Sequence, residues 1–228
     1  MNSLVLLAAA DGPMQISVGG GSSAVKLFLL MTVLSFAAGA LIAITSFTRI
    51  IIVMSFLRQA LGTPTLPPNQ VMVALSLALT AFVMAPTFKK VNAEALSPYL
   101  DDQMTAQDAM DKGSGPVLQF LLKQTRPEDL RLFYELAGAE RPTRADQVPL
   151  HIAVPAFMIS ELTTAFKMGL FLFIPLLLID LLVSAVLMAL GLMMVPPTLV
   201  SLPLKVGIFL LADGWHLLVQ SLVRSFQS

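Results

Sequence analysis

The most constraining feature of the sequence is an apolar run at residues 179–197, which carries one carboxylate, Asp180, close to its start. The run ends in Gly191, two adjacent methionines and two adjacent prolines. Its aliphatic part predicts a helix, and the glycine and the prolines predict where that helix ends. A carboxylate in such a run needs a partner, because an unpaired charge is costly in an apolar environment. Asp180 is therefore a candidate site residue.

Composition indicates a membrane protein. Hydrophobic residues make up 56% of the 228 residues, and charged residues make up 12%, against roughly 25% in soluble domains. The formal net charge of zero argues against a nucleic-acid partner, which would require a basic face. The absence of cysteine excludes disulfides and thiolate metal sites. His151 and His216 lack metal-ligand spacing, so we expect no metal and no cofactor.

The hydropathy pattern predicts an all-α integral membrane protein with about four long apolar segments, arranged as helical hairpins around a small polar helical insert. The first residues contain Ala8-x-Ala10, which resembles a signal-peptidase site, and then a Gly/Ser linker. Both a cleaved signal peptide and an uncleaved terminus stay open. The predicted regions are the N-terminal segment 1–24, the first hairpin 25–87, the insert 88–148 and the second hairpin 149–228.

Prolines predict interruptions in these segments. Pro86 is expected to end the second apolar segment, and Pro175 and Pro203 are expected to break the third and the fourth. Interrupted helices in lipid need neighbouring protein or a water-lined cavity to satisfy the freed backbone groups. The pattern therefore favours a subunit of a larger assembly, or a transporter, over an isolated membrane anchor.

The polar insert carries helix signals of its own. Thr105 and Asp108 have the spacing of a capping box, and Gly113 is expected to stop the helix that follows. Gly138 is expected to stop a second helix, on which Asp129 faces water. We interpret the insert as a small solvated helical unit.

Two further groups of residues are candidate contacts. Small residues at helical spacing let helices approach closely, within the subunit or between subunits; these are Ser35, Gly39, Ala43, Ala78 and Ala85. Charged residues in apolar surroundings either pair, within or between subunits, or relay protons, and pairing is the favoured interpretation. The charged candidates are Arg49, Glu161, Lys167, Asp180, Lys205 and Asp213.

Eight sequence blocks, in this order, are similar to one known family. They are TSFTRIIIV at 45–53, LRQALGT at 57–63, PPNQV at 67–71, SELTTAFKMG at 160–169, IPLLLIDL at 174–181, MALGLMMVPP at 188–197, LPLK at 202–205 and DGW at 213–215. Over about residues 25–226, the chain resembles the FliP family of export-gate proteins. The TSFTR block resembles the flagellar branch more than the related injectisome proteins.

The resemblance implies a subunit of the flagellar type III protein export gate, in the bacterial inner membrane at the flagellar basal body. FliP-like proteins form homo-oligomers and assemble with FliQ-like and FliR-like subunits into a helical ring, in contact with other export components. Unfolded flagellar proteins pass through this ring. The resemblance further implies hairpins packed largely above the bilayer plane, contacts with membrane lipid, and no catalytic site, so we expect no enzyme.

The resemblance also implies a methionine-rich loop that lines and seals the pore, matched here by Leu192, Met193 and Met194. The family often has three consecutive methionines, so Leu192 is a departure that keeps the position apolar. Methionine suits a deformable seal, because its unbranched side chain can repack around varied cargo. The alternative is that the two methionines fill gaps in a core.

The basic residues beside the first turn predict the orientation of the chain in the membrane. Arg49 and Arg58 flank the first turn, which predicts a cytoplasmic turn and, with four spans, a periplasmic insert.

The alternative function is a proton- or ion-coupled small-solute transporter with broken helices, coupled through Asp180 and Lys205. Such transporters usually show an internal repeat, and none is found here. A third alternative, an intramembrane enzyme, is disfavoured because no nucleophile–base pair stands out in the sequence.

Overall fold

The computed structural model describes residues 21–142, 144–192 and 194–227, and all regular structure in these ranges is helical, which confirms the all-α prediction. A π-helical turn (Asn92–Leu96) and a 3-10 turn (Ala145–Gln147) accompany the α-helices. The α-helices are α1 (Gly21–Ala43), α2 (Phe47–Leu61), α3 (Asn69–Val91), α4 (Ser97–Leu100), α5 (Ala106–Gln124), α6 (Pro127–Ala137), α7 (Leu150–Ala189), α8 (Pro197–Leu211) and α9 (Gly214–Arg224).

The chain divides into two units, residues 1–40 and residues 41–228, which are taken separately. The described part of the first unit is residues 21–40 of α1. The hydroxyls of Thr32 and Ser35 donate to backbone carbonyls one turn earlier, at 2.8 and 2.9 Å. Such bonds satisfy hydroxyl groups within an otherwise apolar helix. The second unit contains α2 to α9.

The second apolar segment continues through Pro86, where the sequence predicted its end. Together α3, the π-helical turn and α4 give one helical stretch of 32 residues, Asn69–Leu100. The predicted domain boundary after residue 87 therefore falls inside a helix. A proline removes one backbone hydrogen bond, but packing of α3 against α2 and α5 holds the rest of the helix in place.

The helix α7 is one continuous helix of 40 residues that contains Pro155 and Pro175. The prediction of a break at Pro175 is therefore wrong, and the reason is again packing, since α7 contacts α2, α5, α6 and α8 along its length. The helix ends just before Gly191, as predicted. Gly191 has a φ of 73°, in the left-handed region that favours glycine.

The prediction of a break at Pro203 is also wrong, because α8 packs on α7 and α2 and continues through this proline. The last apolar segment bends directly before α9 instead. The axes of α8 and α9 meet at 65°. Asp213, at the bend, has a φ of 52°. A Cβ on Gly214 would lie 2.3 Å from the Phe209 ring, so glycine is needed for this close approach. The bend packs that ring edge-on against Trp215, with ring centroids 5.5 Å apart.

The insert follows its sequence signals in part. The Thr105 hydroxyl accepts from the Asp108 amide at 3.2 Å and donates to the Asp108 carboxylate at 2.7 Å, which confirms the capping box. Hydrogen bonds from the Thr105 side chain and backbone lower the pKa of the Asp108 carboxyl.

Gly138 ends α6 as predicted, with a φ of 61°. The predicted stop at Gly113 is wrong, because this glycine lets α5 pass close to Ala95: an added Cβ would lie 3.2 Å from the Ala95 Cβ.

Two hydrophobic clusters share α7. The first includes Ile50 and Val53 of α2 with Leu222 of α9, all at most 1% exposed. The second joins the insert to the first half of α7 and includes Leu121 and Phe157. Burial of these apolar faces is the main stabilising contribution to the unit. The helix α7 thus connects the insert to the apolar helices.

Two helical stretches, Asn69–Leu100 and Leu150–Ala189, are long and apolar enough to cross a bilayer. The bent pair of α8 and α9 gives a third if it counts as one span. The described residues therefore provide two to three membrane-capable helices, compared with the four apolar segments expected from the sequence.

Candidate functional site

Arg49 and Glu161 form a buried ion pair between α2 and α7, with side chains that are 2% and 0% exposed. Nε of Arg49 donates to one carboxylate oxygen of Glu161 at 2.9 Å, and Nη2 donates to the other. Two parallel bonds fix the mutual orientation of a guanidinium and a carboxylate. Because both groups are removed from water, each depends on the other for charge compensation.

The other donors of Arg49 bind two further parts of the chain. Nη1 donates to the carbonyl oxygen and the hydroxyl oxygen of Ser225, both at 2.9 Å, and Nη2 also donates to Gln124 at 3.2 Å. All five N–H groups of the guanidinium therefore have acceptors. The Phe226 ring adds a cation–π contact, with its centroid 3.8 Å from Cζ. The network connects α2, α5, α7 and the residues that follow α9.

Lys205 and Asp180 form a second ion pair, between α8 and α7. Nζ of Lys205 donates to Asp180 at 2.5 Å and to the carbonyl of Ala60 at 3.0 Å, while the Ser201 hydroxyl donates to the other Asp180 oxygen at 2.6 Å. The Lys205 side chain is 6% exposed and the Asp180 side chain 32%. Ala60 lies in the last turn of α2, where carbonyls lack helical partners, so the ammonium also caps that helix.

A third network, which the sequence did not reveal, joins the insert to α7. Asp129 of α6 accepts from the Ser160 hydroxyl at 2.5 Å and from Nε of Arg126 at 2.7 Å. The Arg126 amide donates to the Ser160 hydroxyl at 3.0 Å. The prediction that Asp129 faces water is wrong, because Arg126 compensates its charge and α7 covers it. The available signal was the spacing Arg126-x-x-Asp129, in which the residue directly before α6 is followed by a carboxylate in the first turn of that helix.

Ser160 and Glu161 are adjacent on α7 but belong to different networks. Ser160 binds the insert through Asp129, and Glu161 binds α2 through Arg49. Successive residues of a helix point about 100° apart, so one short block can serve two neighbouring helices.

The candidate pore loop lies at the tip of the hairpin formed by α7 and α8. The amides of Gly191 and Leu192 donate to carbonyls in the last turn of α7 at 3.0 and 2.9 Å, the pattern of a Schellman motif. Leu192 is exposed, and Met194 is 95% exposed. Met193 lies outside the described residues.

The Lys205–Asp180 pair joins the two arms of this same hairpin. Asp180 lies about nine residues before the end of α7, and Lys205 lies about two turns into α8. The pair and the Ser201 bond therefore hold the arms together below the tip. The arrangement presents the loop residues outward from a fixed base.

Lys167 and Asp213, also predicted as paired charges, are exposed on the second unit. Within the part of the chain that the structure describes, neither forms an ion pair. Lys167 follows Glu161 by six residues on α7, so the two side chains point about 120° apart around the helix. Asp213 lies at the bend before α9. Pairing of these two with another subunit stays a prediction.

The predicted small-residue contacts are not the positions at which α3 packs inside the unit. Ala78 is exposed and Ala85 is half-buried, while Met72 and Ser76 are buried on another side of α3. The role of these two alanines in contacts between helices stays a prediction. The remaining predicted positions, in α1, stay predictions as well: Ser35, Gly39 and Ala43.

Comparison with known proteins decides the family. The FliP family model matches residues 30–222, which is most of the chain. This chain belongs to the FliP family. The FliP match includes Arg49, Glu161, Asp180 and Lys205, whereas Ser225 lies beyond it.

Curated FliP relatives span nearly the whole chain. It is 47% identical to flagellar biosynthetic protein FliP of Bacillus subtilis over 226 residues, which cover 99% of this chain and 100% of the relative. It is 51% identical to the protein of that name from Pectobacterium carotovorum, over 92% of this chain and 82% of the relative. It is 44% identical to the FliP of Aquifex aeolicus, over 94% of this chain and 92% of the relative. The flagellar resemblance found in the sequence is thereby confirmed.

Proposed function

We propose that this FliP-family chain is a subunit of the flagellar type III protein export gate in the bacterial inner membrane. In this proposal several copies assemble with FliQ-like and FliR-like subunits into a helical ring that conducts unfolded flagellar proteins at the basal body. The observation that carries the proposal is the family match over residues 30–222, with relatives of nearly equal length that are named flagellar biosynthetic proteins.

The apolar surface of the second unit supports an environment of lipid and neighbouring subunits. The helix α7 leaves large side chains such as Phe171 and Leu182 exposed along its outer side. Monomeric soluble proteins rarely expose contiguous apolar patches of this kind to water. We infer that lipid and other gate subunits cover this surface, and that the insert faces the periplasm.

The proposed role requires no chemistry from the chain, since the FliP family is one of flagellar biosynthetic proteins and not a known enzyme family. The alternative, a proton- or ion-coupled solute transporter, would require Asp180 and Lys205 to exchange partners during each cycle. Lys205 is held by Asp180 and by the Ala60 carbonyl at 3.0 Å, inside a three-helix contact. This arrangement favours a structural role for the pair.

Complementation of a bacterium that lacks its own FliP tests the proposal. We expect the chain to restore secretion of flagellar protein and to co-purify with FliQ-like and FliR-like subunits as a higher oligomer. Glu135→Gln, which removes one exposed charge from the insert, should behave like the unchanged chain. A small monodisperse protein that moves a solute alone after reconstitution would contradict the proposal.

A further inference from the structure

A pocket of ≈ 630 Å³, the α2–α7 pocket, lies between these two helices. Its lining includes three aromatic rings, those of Phe56, Phe166 and Phe173. Lys167 lies in the same lining and is exposed. It is the only charged residue at positions 162–179, and among the described residues it forms no ion pair. The α2–α7 pocket therefore combines an aromatic wall with one exposed positive charge.

The opposite charge lies at the bend between α8 and α9, next to two exposed leucines. Leu210 and Leu211, the last residues of α8, are 62% and 91% exposed. Asp213 follows them and is exposed, and its carboxylate does not cap α9. Within the described ranges Asp213 forms no ion pair. These three residues, the α8–α9 corner, present apolar surface beside one negative charge, which is the complement of the α2–α7 pocket.

The α2–α7 pocket and the α8–α9 corner lie on opposite sides of α7. Phe166 and Leu170 of α7 line the pocket. Met168 and Leu172 each lie two residues further along, which places them about 200° further around the helix. These two side chains line a second cavity together with Gly214, directly after the corner. A single copy therefore cannot bring its own corner to its own pocket.

The two features also lie at nearly the same level along α7. Lys167 marks the pocket and Leu172 lies beside the bend, so the two levels differ by five residues, a rise of ~7.5 Å. Complementary features on opposite sides of one subunit give a heterologous contact, in which each copy binds the next in the same way. Such a contact closes into a ring or continues as a helix, depending on the rotation between copies.

We propose that the α8–α9 corner of one copy docks into the α2–α7 pocket of a neighbouring copy, where Asp213 pairs with Lys167. Leu211 then covers aromatic surface that each copy alone leaves exposed. The charge pair fixes the register of the contact, because like charges in a shifted or reversed arrangement repel. The inference rests on the homo-oligomer of the proposed function and specifies the contact between successive copies.

Cysteine cross-linking tests the inference without background, because the chain contains no cysteine. Two differently tagged chains, one with Lys167→Cys and one with Asp213→Cys, are produced together with FliQ-like and FliR-like subunits and treated with a short bis-maleimide. We expect the mixed dimer and no dimer of either chain with itself, since the contact is heterologous. The matched control combines Lys167→Cys with Glu135→Cys, an exposed position of the insert, and should not cross-link.

Exchange of the two charges tests the pair itself. Lys167→Asp and Asp213→Lys each place like charges in contact, and each should lower the yield of the homo-oligomer about tenfold. The two substitutions in one chain should restore the yield, because the charges are only exchanged. Lys112→Asp, at an exposed position of the insert, is the control and should leave the yield unchanged. The thermal midpoint of each variant shows whether the subunit itself stays folded.

Three results would overturn the inference: a double variant no better than the single variants with unchanged midpoints, equal cross-linking of the control pair, or dimers of Lys167→Cys with itself. The last result would mean a self-complementary contact in place of a heterologous one. Co-purification of the unchanged chain with FliQ-like and FliR-like subunits as a higher oligomer separates these failures from a failure of the proposed function.

Discussion

The substitution Glu161→Gln is the sharpest test of the buried network. It removes the negative charge that faces Arg49 and replaces one carboxylate oxygen with an amide that donates. The guanidinium keeps the neutral acceptors from Ser225 and Gln124 but stays out of water with an uncompensated charge. Breaking a buried pair in this way costs about 3–5 kcal/mol in the free energy of unfolding. That is a large part of the ~5–15 kcal/mol that holds a typical domain folded.

Thermal denaturation of the detergent-solubilised chain measures this cost. For a chain of this size, each kcal/mol shifts the midpoint by about 2–4 °C, so we expect a decrease of about 6–20 °C. The exposed pair of Arg131 and Glu135 provides the control, since Glu135→Gln should cost less than ~1 kcal/mol. The double variant Arg49→Met and Glu161→Leu should recover much of the loss, because it leaves no single buried charge. A Glu161→Gln midpoint within ~2 °C of the unchanged chain would refute the reasoning.

Three further predictions concern packing, assembly and pH. Gly169→Ala places a Cβ 2.5 Å from a phenylalanine ring of α2 and should lower the free energy of unfolding by about 1–3 kcal/mol, measured by thermal denaturation. The control is Gly207→Ala, whose Cβ would meet nothing within 4 Å, and it should leave the stability unchanged or raise it. Asp180→Ala leaves its partner ammonium buried without a carboxylate, so the amount of intact gate complex should fall before transport per complex does; normal complex with blocked export would contradict this order. The pKa of Asp108 is lowered in the folded chain by its bonds from Thr105, so its contribution to α5 is present above about pH 4 and is lost as the pH falls through the folded pKa. Asp108→Asn should abolish that dependence of helicity, measured by circular dichroism between pH 2 and 7, and an unchanged titration would count against the cap.

Of the six charged residues that the sequence singled out, Arg49, Glu161, Asp180 and Lys205 form ion pairs among the described residues, whereas Lys167 and Asp213 form none. Arg49, Glu161, Asp180 and Lys205 were singled out because charge in an apolar run needs compensation. The pairs that they form depend on which helices become neighbours, and single-sequence periodicity carries no information on that. Much of the compensation also comes from groups with no sequence signal, such as the Ala60 carbonyl, which is available only because α2 ends beside α8.

Prolines were the least reliable guide to the fold. Pro86 and Pro175 each lie within a helix that continues past them, since packing on neighbouring helices outweighs one lost backbone bond. Glycines were informative where a left-handed conformation is required, as at Gly138 and Gly191. The predicted helix stop at Gly113 was wrong, because this glycine allows close packing against Ala95 within a continuous helix and has no role in a turn.

The loop between α7 and α8 carries the prediction closest to the proposed function. Met194 is almost fully exposed on a hairpin whose base is fixed by the Lys205–Asp180 pair, so its side chain covers nothing within its own unit. If the loops of several copies meet in the assembled gate, Met193→Ala together with Met194→Ala would remove most of the flexible volume that closes the pore.

We therefore expect cells that carry this loop variant to leak small ions through the closed gate, measured as faster decay of the membrane potential at equal amounts of assembled complex. Met110→Ala, an exposed methionine of the insert, is the control and should leave the leak unchanged. Equal amounts of complex with no additional leak would remove the sealing role from the loop. The predicted assembly role of the Lys205–Asp180 pair would be unaffected by that result, because the pair lies below the tip of the hairpin and the methionines lie at the tip.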